Sequence, residues 1–155
     1  MAIVVDFVRR LSHVYRHVLQ SKQHDLVSLG TEIDIVRDYA FAFEKRFGTN
    51  FHLVIDLPEE MLSGQIPPLT LQILVENAVK HNIITDEHPL SIRIERDGES
   101  HIVVRNAIHR KTNTSSPTHI GLQNILDRYR YVAQGIVEVT ERNGDFTVRL
   151  PVIRE

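Results

Sequence analysis

The chain has 155 residues, 42% apolar and 25% charged, with eighteen basic residues against twenty acidic ones and a formal net charge of -2. That is the length of one ordinary domain, with enough apolar material for one packed core. The basic residues are spread rather than clustered, so nucleic acid is excluded as a general electrostatic partner; the absence of cysteine removes disulfides, thiol nucleophiles and thiolate metal sites.

Phe7, Leu11, Val14, Tyr15, Val18 and Leu19 recur at helical spacing, so residues 3–22 predict an amphipathic helix whose apolar stripe needs a partner. Small polar residues from Ser28 to Thr31 precede Glu32 and Asp34 and predict the start of a second helix. It continues through Ile33, Val36, Tyr39, Ala40 and Phe43 to Phe47, stops at Gly48 and is expected to pair with the first. Phe51, Leu53, Ile55 and Leu57 alternate as in a half-buried strand. Pro67 and Pro68 then open a helix over about 68–82 with Leu71, Leu74, Val75 and Ala78 facing the core. Ile92 and Ile94, a turn at Asp97-Gly98, and Ile102 to Val104 predict a strand pair. From Asn106 to Thr118 the chain is polar and aperiodic, long enough for a functional lid. Ile120, Leu122, Ile125, Leu126 and Tyr129 mark a further helix ending near Gln134-Gly135, and Asn143-Gly144 turns a last hairpin between 136–140 and 146–150. No apolar run is long enough to span a bilayer and no signal-peptide pattern is present. The sum predicts a two-layer α/β sandwich: helices on one face of a mixed, mostly antiparallel sheet, with a helical segment over 1–48 ahead of the unit over 49–155.

The chemistry concentrates in Glu76-Asn77-Ala78-Val79-Lys80-His81-Asn82. At about 100° per residue, Ile73, Asn77, Lys80 and His81 share one helix face opposite the core stripe. A polar helix face alone reads as the wet side. Here Glu76-Asn77-Ala78-Val79-Lys80-His81 follows Pro67-Pro68-Leu69-Thr70-Leu71-Gln72, and Ile120-Gly121-Leu122-Gln123-Asn124 comes some forty residues later. These segments resemble the two nucleotide boxes of the LytS-like sensor histidine kinases, whose ATP-binding domain has the GHKL, or Bergerat, fold shared with gyrase-type ATPases. Leu11-Ser12 with Tyr15-Arg16 and Val18-Leu19, Val27-Ser28-Leu29 and Arg46-Phe47-Gly48 resemble the segment joining that family's phosphoacceptor helix to its ATP domain.

The resemblance implies a chemical role for each matched residue. The amide oxygen of Asn77 would ligate Mg²⁺, a hard ion shared with the triphosphate. Lys80 and His81 would face phosphate oxygens as cation and hydrogen-bond donor. Gly121 and Leu122 would bring backbone N–H groups close to phosphate at a helix start, and Asn106 would stand near the adenine. It also implies ATP and Mg²⁺ as cofactors, a homodimer, a response-regulator receiver domain as phosphoryl recipient, and a cytoplasmic position in a sensor protein held to the membrane by segments outside this sequence. No Asn-Pro-His-Phe-type motif occurs, so the accepting histidine is expected before Met1 and self-labelling by this chain alone is not expected. Ile73 occupies the position of the water-activating glutamate in the related ATPases, which favours phosphotransfer over hydrolysis. Glu76 is expected to pair with Lys80 at i,i+4.

Two stretches depart from the family pattern. Arg105-Asn106-Ala107-Ile108-His109 stands where the family has Asp-Asn-Gly-x-Gly, and His119 stands where a further glycine precedes Gly121. The missing adenine-reading carboxylate costs about 1.5–3 kcal/mol, tenfold or more in affinity. The alternative is therefore a pseudokinase-like scaffold that relays signal by dimerisation without nucleotide. His13 and His17 are one helical turn apart, a metal-compatible spacing, but no third ligand is evident and they read as solvated helix surface.

Overall fold

The computed structural model describes residues 2–111, 120–133 and 135–154. Two long helices come first: α1 (Ala2–Gln20) and α2 (Leu29–Phe47), with the two-residue strand β1 (Val27–Ser28) between them. The Ser28 side chain accepts from Thr31 N–H at 3.1 Å, and Gly48 closes α2 at φ 58°, where a side chain would be strained. The helices pair as expected, with polar groups joining them beside the Phe7–Phe41 ring contact. Asp38 on α2 accepts from Arg10 Nη1 at 2.8 Å and lies 2.5 Å from His13 Nδ1, while His17 Nε2 is 2.9 Å from Glu32 Oε2. Neither histidine is simply solvated surface: His13 has a carboxylate partner and His17 is buried. A one-turn spacing puts both histidines on the same side of the helix without saying what packs over each, so the sequence could not separate these cases. The apolar stripe of α1 stays mostly open, with Ile3, Val4, Val5, Val8, Leu11, Tyr15 and Leu19 all more than half exposed.

The inner face of α2 joins the rest of the chain. Leu29, Ile33, Val36 and Ala40 lie in one core cluster with Leu71, Leu74, Val75 and Ala78 of α3 (Thr70–His81) and with the sheet. The segment over 1–48 and the unit expected from 49 onward therefore share a core through α2. The sheet holds β2 (Phe51–Asp56), β4 (Leu90–Asp97), β5 (His101–Ala107), β7 (Asp145–Pro151) and β6 (Glu138–Arg142), in that spatial order. β2 and β4 are parallel, joined across α3, and every other pair is antiparallel. This is the mixed, mostly antiparallel α/β sandwich read from the sequence. Ile92, Ile94, Ile102, Val104, Val148 and Leu150 point from the sheet toward the helices. The opposite face carries cross-strand ion pairs such as Arg105–Glu95 and Arg149–Asp97.

Two features bind the ends of this frame. Asn143 and Gly144 turn the β6–β7 hairpin with φ of 55° and 80°, the positive pair that a two-residue hairpin of this hand needs. After β7, Ile153 exchanges backbone hydrogen bonds with Gln65 of β3 (Gln65–Ile66), at 2.8 and 2.9 Å, and β3 pairs with β1. No helix among the described residues is long and apolar enough to cross a membrane.

Candidate functional site

α3 carries most of the candidate residues, and its amphipathic sequence fixes how they are presented. Leu71, Leu74, Val75 and Ala78 bury one face, which leaves Asn77 and His81 half-buried and Lys80 exposed on the other. The helix begins at Thr70, two residues later than the prolines suggested. Leu69 precedes it in the left-handed region at φ 70°, a strained conformation for a leucine.

α4 (Ile120–Arg128) lies against this face and continues through a π-helical turn, Tyr129–Ala133. At its start, a Cβ added to Gly121 would meet Ile73 Cγ2 at 2.9 Å and both amide heavy atoms of Asn77 at 3.6 Å. At its end, Arg128 Nη1 donates to Pro68 O at 2.7 Å. α4 therefore runs antiparallel to α3, with its N-terminal turn over Ile73 and Asn77. The two motifs, some forty residues apart in sequence, meet at a corner where only glycine lets the backbones approach. Leu122 sends its side chain toward the core cluster, leaving its backbone in the first turn. The expected lid over 106–118 falls largely on 112–119, as does His119, and these lie outside the described residues.

The exit from β5 forms the other side. Asn106 pairs with Ile92 on β4 and Phe146 on β7, and its side chain is buried on the helix-covered face with them. Its Nδ2 donates to Ala107 O at 2.9 Å, which leaves Oδ1 as an acceptor. Arg105, the residue set against the family's aspartate in the sequence comparison, points to the other face and pairs with Glu95. Alternation along the strand makes Asn106, not Arg105, the residue presented to the helices.

Asn82, which sequence reasoning passed over, ties the two sides together. Its Oδ1 accepts from His109 N–H at 2.7 Å and its Nδ2 donates to Ala78 O at 2.8 Å, while Ile83 N–H donates to His109 O at 2.7 Å and Lys111 N–H to His81 O at 3.3 Å. The His109 ring also stacks on His88, with centroids 4.2 Å apart. Glu76 does not take Lys80 as its partner. It faces Tyr39 of α2, and burial together with the Glu76 carboxylate pushes the Tyr39 hydroxyl up to about 12. Among the described residues no group of three or more acidic or histidine side chains is placed to hold a metal by itself. Any cation here would need ligands from a bound anion as well as Asn77.

Comparison with known proteins bears on the family and the fold. A family model described as histidine kinase matches residues 2–51, covering α1, α2 and the first residue of β2. The chain is 24% identical over 166 aligned positions to the sensor protein LytS of Enterococcus faecalis, covering 94% of this chain and 28% of that protein. It is 33% identical over 96 positions to the sensor histidine kinase BtsS of Escherichia coli, covering 61% of this chain and 17% of that one. The chain thus spans under a third of the length of these relatives. Among solved structures, the catalytic domain of histidine kinase ThkA matches with a TM-score of 0.56 at 17% identity, covering 83% of this chain and 99% of that one. At that identity the likeness speaks for the fold.

Proposed function

We propose that this chain, which belongs to the LytS-like sensor histidine kinases, is their ATP-binding region and passes the terminal phosphoryl group of ATP to a histidine N-terminal to this sequence. The observation that carries the reading is the corner where Gly121 rests on Asn77. A neutral amide there suits Mg²⁺, whose remaining ligands come from phosphate, and the glycine, whose Cβ would meet Ile73, lets the first turn of α4 lie close beside that amide. Bound Mg²⁺-ATP supplies the phosphoryl group and the ion that spreads its charge.

The chain's own residues then have distinct tasks. Asn77 orients the metal, the first-turn amides of α4 at Gly121 and Leu122 hold phosphate oxygens, and Lys80 and His81 add positive charge and a donor at the far end of α3. Asn106 Oδ1, its amide orientation set by the bond to Ala107 O, accepts from the base. Ile73 places a methyl group under Gly121 where a carboxylate would activate water, which favours transfer over hydrolysis.

The open face of α1 supports a homodimer. Val4, Val8, Leu11 and Tyr15 follow the four-three-four spacing of a coiled-coil seam and are all exposed. The onward acceptor is a response-regulator receiver domain, and the region works in the cytoplasm beneath a membrane-held sensor. The test is calorimetric titration with a non-hydrolysable ATP analogue, with and without Mg²⁺, on this protein and on Asn77→Ala. Magnesium-dependent binding that disappears in the variant is expected. No binding at millimolar analogue would overturn the kinase reading in favour of a nucleotide-independent scaffold.

A further inference from the structure

Outside the candidate site, the buried ionisable side chains among the described residues are His17, Glu32 and Tyr129, and the first two are in contact. Glu32 on α2 is 1% exposed. Its Oε2 lies 2.9 Å from His17 Nε2 on α1, and its Oε1 accepts from Leu71 N–H, in the first turn of α3, at 3.4 Å. Tyr129, after α4, donates to Pro151 O at 2.9 Å, and burial and the nearby Glu32 charge hold its hydroxyl far above the ordinary tyrosine range.

α3 needs such a group. Its N-cap, Leu69, has no side chain able to accept a hydrogen bond, so the free N–H groups of the first turn lack the usual local acceptor. A carboxylate from a neighbouring helix supplies the acceptor and the negative charge that the positive end of the helix favours. A buried carboxylate is itself costly unless partnered, and the partner comes from α1. The other ion pairs along the α1–α2 seam, Arg10–Asp38 and His13–Asp38, are partly exposed and screened, so they hold α1 weakly.

We propose that Glu32 is a positioning residue for α3 and that His17 makes the seating of α1 the condition for it, so that displacing α1 is felt at Asn77, two turns along the same helix. This assigns a regulatory input to the nucleotide site and rests on the nucleotide reading for its consequence, but not for its structural test. In the seated state His17 partners one oxygen of the carboxylate and leaves the other directed at α3. In the displaced state Glu32 draws on water or on Tyr129, and the first turn of α3 loosens.

The experiment is amide hydrogen exchange on the 155-residue protein and on His17→Phe, His17→Gln, Glu32→Gln and the double variant His17→Phe/Glu32→Gln, each also titrated with the ATP analogue. Phenylalanine keeps the ring and removes the bond. The expected result is exchange about tenfold or more faster at Leu71–Ile73, as for loss of a hydrogen bond to a charged group, with β4 and β5 unchanged and analogue binding weakened several-fold. Gln at position 17 retains a donor and should restore much of the protection, and the double variant should be no worse than Glu32→Gln alone. Acceleration confined to α1, or spread evenly over all amides, would overturn the proposal. If His17→Phe fails to fold, Glu32→Gln decides by the same criterion. If the unaltered protein binds no analogue, the nucleotide reading fails while the exchange pattern still decides the relay.

Discussion

The two sides of the candidate site are built differently. At the α3–α4 corner the contacts are steric: Gly121 sits on Ile73 and Asn77 with no room for a Cβ, and the residue types match the family pattern. At the β5 exit the backbone is held by Asn82, and the side chains depart from the family pattern, with Arg105 set against its carboxylate, Ala107 and His109 against its two glycines, and Asn106 buried toward the helices. Under the proposed nucleotide reading the difference reflects what each end would recognise. Phosphate would be held by backbone amides at short range. A base would be read by one acceptor at a fixed place, which an amide oxygen can supply.

The sharpest way to break this comparison is at Gly121. Gly121→Val should weaken analogue binding by about a hundredfold or more, as several short amide contacts are lost together. Gly121→Ala should be rescued in fold, measured by thermal melting, when Ile73→Ala is added, since the nearest obstruction is the Ile73 Cγ2 methyl. A Gly121→Val variant that binds normally would show that the corner does not hold phosphate. At the other end the expected change has the opposite sign. Asn106→Asp should tighten adenine-nucleotide binding about tenfold by exchanging a neutral acceptor for a charged one. Unchanged affinity in calorimetry would remove Asn106 from the base contact.

The tether is read in stability rather than in affinity. Asn82→Ala leaves the His109 N–H without its acceptor and should cost about 1–3 kcal/mol in urea unfolding. Wild-type stability in this variant would mean that the β5 exit is held by the Ile83–His109 backbone bond alone.

How far the sequence could be read follows the range of the interactions. Helix ends were legible at Ser28 and Gly48, and the hairpin at Asn143-Gly144, because each is set by neighbours within four residues. β1 and β3 were not, since two-residue strands exist only through partners distant in sequence. The residues of the corner could be picked out by their types, but not their contact. Asn106 could be picked out by its type, while the face it shares with Ile92 and Phe146 is set by strand pairing. His17 read as solvated helix surface, Glu32 as an acidic residue at a helix start and Asn82 as the end of the chemistry-bearing segment; only tertiary packing buries them.

The mildest expected effect concerns the back of the corner, where Tyr39 of α2 meets Glu76 of α3. The folded protein holds the Tyr39 hydroxyl at about 12 against an ordinary 10, because burial and the Glu76 charge disfavour the phenolate. The folded state therefore binds more protons than the unfolded state between these values, and stability must fall as pH rises through that window. The contribution is complete below pH 10 and lost by about 12. Tyr129, raised further by its burial, adds to the same slope, so Tyr39→Phe should flatten the alkaline loss of melting temperature without removing it. The same slope in Tyr39→Phe as in the unaltered protein would show that the α2–α3 contact contributes nothing to the alkaline transition. The Asn82 tether has no group titrating there, so an alkaline transition reported first by α2–α3 and later by β5 would separate the two sides in one titration.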